Sequence, residues 1–136
     1  MLALLWFVFG ALAAGGFIVF ARRGGLRVER RVFAVGLAVA AALYMVFALI
    51  GWDVSGIRTE ALGLAAFGMI ALLGGRQWPW LLVIGWVLHV GWDVEMHLTT
   101  RTAYIGAWYP TLCISFDLAV AGYFGWRLRE TQSTSP

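Results

Sequence analysis

Five apolar runs, each close to the length that crosses a bilayer, follow one another between Leu2 and Leu128. A membrane helix needs roughly 20 such residues, and a chain built from little else has few folds open to it. The runs are Leu2–Ala21, Val32–Gly51, about Gly56–Gly75, Pro79–Leu98 and Pro110–Leu128. The third is the weakest by pattern, being glycine-rich and opening with Arg58 and Glu60. Charged residues make up 12% of the chain, about half the share of a soluble domain, so no soluble half is expected. The expectation is one all-α domain over residues 1–130, a polytopic membrane helix bundle with about five transmembrane helices. A disordered tail over residues 131–136 would follow. Pro79 and Pro110 stand where a helix-starting proline loses no hydrogen bond.

Arginine placement sets the orientation. The sequence has ten basic residues, all arginine. Five lie in "ARRGGLRVERR", one is Arg76, and two are Arg127 and Arg129. All eight fall at the same end of the expected bundle, with only Arg58 and Arg101 at the other. The positive-inside rule then puts the N-terminus outside and the C-terminus in the cytoplasm of a bacterial inner membrane. The clustering suits anionic lipid headgroups and excludes nucleic acid as the partner. Trp6, Trp52 and Trp108 fall near one set of span ends and Trp78, Trp80 and Trp126 near the other, as interfacial indoles do. The first run has no positive leader, so it reads as a retained span. A lone cysteine, Cys113, excludes an internal disulfide. "GWDV" at 51–54 and 91–94 reads as a chance repeat.

The first two runs offer little chemistry. "GALAAGG", residues 10–16, is a small-residue stripe, suited to close packing on a neighbouring helix or to a homodimer seam. Tyr44 and Met45 in the second run read as core filler. The fourth run differs. "LHVGWDVEMHLTTR" carries His89, Asp93 and His97 at spacing i, i+4, i+8, and these fall on one stripe of a helix. Glu95 points away from it. A charge within the bilayer costs at least ~2.5 kcal/mol and normally faces a bundle interior. Asp93 therefore needs a partner, and Asp117 of the fifth run arrives at the same depth. Glu60 lies level with His97.

One polar pocket is therefore expected, opening outward between the third, fourth and fifth helices. Its members are Glu60, His89, Asp93, His97 and Asp117, with Thr99, Tyr109, Cys113 and Ser115 around them. Two chemistries fit. A zinc or iron site would use His97, or His89 in its place, with Asp93 and with Asp117 or Glu60, since the two histidines stand roughly 12 Å apart along a straight helix and cannot share one ion. A metal-free site would use Asp93, Asp117 and His89 as catalytic acids and bases. It would act on a lipid or isoprenoid-like molecule, with Trp86, Trp92, Trp108, Phe116 and Tyr123 as cavity walls. Haem is disfavoured because both histidines sit on one helix, and an ion route because no polar group continues inward. The alternative to an enzyme is a non-catalytic accessory subunit or a small-molecule binding or transport protein, its polar pairs acting as helix glue.

The segments "LHVGWDVEMH" (88–97) and "WYPTLCISFDLAVAGYF" (108–124) resemble an uncharacterised family of small bacterial integral-membrane proteins. Its members share H-x-x-x-D-x-x-x-H and W-Y-P-x-x-C-x-x-F-D segments. The resemblance implies that His89, Asp93, His97, Cys113 and Asp117 are marked positions. It implies no activity.

Overall fold

The computed structural model of the chain describes residues 1–99 and 104–133, with the backbone only at Thr99. It is all-α, with five helices: α1 (Leu2–Arg22), α2 (Leu26–Ile50), α3 (Val54–Arg76), α4 (Trp80–Trp92) and α5 (Trp108–Ser133). A π-helical segment, Asp93–Thr99, continues α4 without a break. Four helices are long and apolar enough to cross a membrane: α1, α2, α3, and α4 extended to Leu98. The third, expected to be weakest, is among them. The one that falls short is α5. Its 26 residues suffice in length, but Asp117, Ser115, two tyrosines and Pro110 dilute its apolar content.

Helix boundaries differ from expectation where charge was read as loop. α2 starts at Leu26, six residues before the expected Val32, so Arg27, Glu29, Arg30 and Arg31 are helical. Only a short turn separates α1 from α2. Gly25 makes it, with φ +75, the left-handed region that a glycine enters without strain. Pro79 is the residue before α4, and Pro110 lies in the first turn of α5, both positions whose missing N–H has no helical acceptor. α5 continues to Ser133, three residues into the segment read as a tail. The two "GWDV" copies do different work. Asp53 caps α3 by accepting from Gly56 N at 3.0 Å, whereas Asp93 lies inside the fourth helical run.

α4 takes the middle of the bundle, packed on α5 and α3 and touching α2. α1 lies along α5, and α2 along α3. Trp86, Leu82, Phe33, Leu37, Phe124 and Val120 form a fully enclosed apolar centre. Outward-facing side chains such as Leu4, Leu12, Val39, Leu62 and Val87 are large and apolar, which water would penalise and lipid would not.

The stripe of small residues on α1 is a seam within the chain. Gly10 and Ala14 are buried, and a Cβ on Gly10 would collide with the Leu112 carbonyl oxygen and Ser115 Oγ of α5. Gly15 and Gly16 face open space. Helices without a hydrophobic drive between them rely on such close approach. Gly10→Ala should therefore lower the unfolding temperature in detergent, with a loss of about 1–3 kcal/mol from overpacking, while Gly16→Ala should leave it unchanged. Equal behaviour of the two variants would refute the seam.

Candidate functional site

Near one end of the bundle, the buried faces of α2, α3, α4 and α5 turn polar together. His89, Asp93, Asp117, Glu60 and His97 are all 3% exposed or less, and Tyr44 is fully buried. The group divides into two linked clusters.

The deeper cluster joins α4 to α5. His89 Nδ1 lies 2.7 Å from Asp117 Oδ2 and 3.7 Å from Asp93 Oδ1. Tyr44 Oη, from α2, donates to Asp93 Oδ1 at 2.6 Å. One ligand atom each from His89, Asp93 and Asp117 can be chosen so that all three lie within 4.8 Å of one another. The expected meeting of Asp93 with Asp117 is thus present, and the residue between them is His89.

The second cluster lies toward the end of the bundle. His97 Nε2 approaches Glu60 Oε1 at 3.3 Å. Tyr104 Oη donates to the same oxygen at 2.6 Å, and Trp92 Nε1 donates to Glu60 Oε2 at 3.2 Å. The two clusters meet through Tyr44, whose ring stacks on the His97 imidazole at 4.0 Å with 2° between the planes. Glu60 and His97, read as ligands beside Asp93 and Asp117, therefore hold each other instead. Of the two histidines, His89 is the one beside both aspartates.

The π-helical segment explains how one face of the fourth helix serves both clusters. On a regular α-helix, residues four apart overshoot a full turn, so a stripe at i, i+4, i+8 drifts steadily sideways. A π turn holds more than four residues, so the step from Asp93 to His97 falls short of a turn instead. The second step reverses the drift of the first. All three side chains therefore keep to the buried face. Glu95, between them, is exposed, as its position requires.

Several buried polar atoms lack a partner among the described residues: His89 Nε2, Asp93 Oδ2 and Trp86 Nε1. These residues lie three and seven apart on the fourth helix, hence on a single face. A buried polar atom without a hydrogen bond costs about 1–3 kcal/mol.

The surrounding aromatics divide. Trp86 packs on Phe116, and Trp92 on Phe67, against this region. Trp108 pairs with Trp6 near the bundle surface, and Tyr123 lies at the opposite end, donating to Glu29. Those last two do not line the site. Cys113 and Ser115 are buried, and Ser115 Oγ donates to the Leu112 carbonyl. Tyr109 meets Tyr44 edge to face. The side chain of Thr99 lies outside the described residues, as does Arg101.

Two contributors escape a reading by ionisable residues alone, Tyr44 and Tyr104. Tyr44 had a signal: a tyrosine in mid-span needs an acceptor for its hydroxyl, and only a polar group on another helix can supply one. Tyr44→Phe removes the donor to Asp93 and leaves a buried carboxylate short of a hydrogen bond. It should destabilise the detergent-solubilised protein by about 1–3 kcal/mol, read as an earlier thermal midpoint. A midpoint equal to wild type would mean that Asp93 does not depend on the phenol.

No curated protein and no solved structure matches the chain. A family model does, over residues 6–131, and its description is a family of unknown function, DUF6010. With nearly the whole helical bundle matched, the chain belongs to that family.

Proposed function

We propose that the protein is an integral-membrane enzyme that acts on a lipid or isoprenoid-like molecule at the His89–Asp93–Asp117 cluster, with a divalent cation as the favoured aid to catalysis. The observation that carries this reading is a histidine and two carboxylates within 4.8 Å of one another, wholly enclosed in an apolar bundle. With both carboxylates ionised and the imidazole neutral, the cluster bears two negative charges where one is already costly. A divalent cation cancels them. Ligands each about 2.1 Å from a tetrahedral ion stand roughly 3.4 Å apart. The His89 Nδ1 distances of 2.7 and 3.7 Å straddle that value. The nitrogen and oxygen donor set suits zinc or ferrous iron.

In this reading His89, Asp93 and Asp117 bind the ion, and Tyr44 orients the Asp93 carboxylate through its hydrogen bond. The ion would supply Lewis-acid polarisation of the reacting group. Glu60 and His97, reached through the stacked Tyr44 ring, would serve proton transfer nearer the bundle end. Without a metal, the same residues suit acid/base chemistry.

A second reading, a non-catalytic accessory or binding protein, has one observation in its favour. His89, Asp93 and Tyr44 have no exposure at all, as buried helix glue would.

Metal content separates the two. Protein purified in detergent should carry about one zinc or iron per chain by elemental analysis, and Asp93→Asn and Asp117→Asn should each lose it while keeping their helical circular dichroism. A metal-free wild type, colourless in the visible, would remove the metal from the proposal. If the Asn variants then unfold at lower temperature with no other change, the glue reading stands.

The proposed setting is the inner membrane of a bacterium, crossed by all five helices, with the N-terminus outside, the C-terminus in the cytoplasm and the arginine-rich end inside. The enclosed site would then lie nearer the outer face than the inner one. Because Cys113 is buried, cysteines introduced at positions 23 and 24 can be labelled selectively. They should resist an impermeant thiol reagent in intact cells and react after lysis. Labelling before lysis would reverse the topology.

A further inference from the structure

The arginine-rich end of the bundle holds a feature that the polar core does not use. Between α2 and α3 runs an open groove of about 770 Å³, within the range of small-molecule sites. Arg27, Arg30 and Arg31 of α2 and Arg76 at the end of α3 line it, with no acidic side chain among them. The acid of this segment, Glu29, faces the other way, where it accepts from Tyr123 Oη at 3.0 Å and from Arg127 Nη2 at 3.2 Å. Among the described residues, no carboxylate lines the groove beside these four guanidinium groups.

Arg30 is the most constrained of them. Its Nε donates to the Gly74 carbonyl at 2.8 Å, which pins the guanidinium to α3. Its Nη2 is closed off from solvent and has no acceptor among the described residues. Further along, the groove changes character. Its walls are Ala34, Ala38, Ala71 and Gly68, with Val35 and Leu72 beside them. A Cβ on Gly68 would meet nothing within 4 Å, so the groove is hollow there.

We propose that this groove binds an anionic phospholipid, its phosphate held by the arginines and one acyl chain laid along the small residues of α2 and α3. Guanidinium groups recognise phosphate oxygens in pairs, and juxtamembrane arginines attract anionic lipid. A free anion would satisfy the arginines but leave the apolar half of the groove empty. The site is separate from the His89 cluster: Arg30 and Tyr44 are 14 residues apart on α2, roughly 21 Å along its axis.

The test is native mass spectrometry of the full chain in detergent, with dioleoylphosphatidylglycerol, dioleoylphosphatidylcholine or inorganic phosphate added. The phosphatidylglycerol should be retained at least about tenfold better than the phosphatidylcholine. Arg27 and Arg31 are exposed and make no side-chain hydrogen bond among the described residues, so the double variant R27Q/R31Q should fold and bind the anionic lipid roughly 25-fold more weakly, about fivefold per arginine. Gly68→Phe, which fills the hollow without touching an arginine, should weaken lipid retention and leave the thermal midpoint unchanged. Equal retention of the two lipids overturns the proposal. So does anionic-lipid binding that both variants leave intact, which would place the lipid elsewhere. Inorganic phosphate displacing the lipid at comparable concentration would make this an anion site without a chain-binding groove, and would overturn it as well.

Discussion

The 2.7 Å approach of His89 Nδ1 to Asp117 Oδ2 joins α4 to α5 at a depth where the bundle interior is polar. Around it the low dielectric leaves little freedom. Asp117 cannot lie in such surroundings without a polar partner, and His89 places a ring nitrogen against it from a helix that also packs on α3 and α2. Once His89 is fixed, Asp93 must follow one turn on, and its carboxylate then requires Tyr44 from α2. Tyr44 in turn closes over His97, which requires Glu60 from α3. Four helices are thus brought into register by a chain of polar groups, each placed by the last. Apolar side chains could fill the same volume, but alone they would tolerate sliding of one helix along another.

The π-helical turn belongs to the same logic. Such turns leave the regular i→i−4 ladder and weaken it locally, and they concentrate at functional sites. Here the departure begins at Asp93 itself. A straight α-helix would carry His97 sideways off the buried face and away from Glu60. On its buried side this turn brings Asp93 to the Tyr44 hydroxyl and His97 to Glu60.

Much of this was legible from the sequence. Apolar run length gave the helices, because the bilayer admits so few alternatives, and the i, i+4, i+8 spacing gave the stripe. Depth counted from Pro110 brought Asp117 to the level of Asp93. What stayed hidden depends on rotation about helix axes, which run length does not encode. Tyr44 could have faced lipid or core with the same hydropathy. Glu29 read as loop because it lies among the five arginines of "ARRGGLRVERR", yet it is 1% exposed and tied to α5. The reversed drift at Asp93 could not be foreseen either, since nothing in "DVEMHLT" demands a wider turn. Without that turn, His97 and His89 seemed interchangeable as ligands, and the two clusters merged into one.

The distribution of polarity along the bundle also bears on what kind of protein this is. Below Asp117 the interior is closed by Trp86, Leu37 and Val120, then by Phe33, Leu82 and Phe124, all without exposure. Phe33 packs on Phe17, Phe124 and Tyr123, and Phe17 on Phe116, so the aromatic layer is continuous. Only beyond it does the Glu29–Arg127–Tyr123 group appear, roughly 22 Å from Tyr44 along α2. A path for an ion or proton needs polar groups or water within hydrogen-bond reach at each step, and no such step crosses this layer among the described residues. A polar site that stops at a hydrophobic floor is suited to holding something, whether an ion or part of a lipid, and poorly suited to passing it through. The proposed reading, binding or chemistry at one level of the bundle, rests on that floor of apolar side chains.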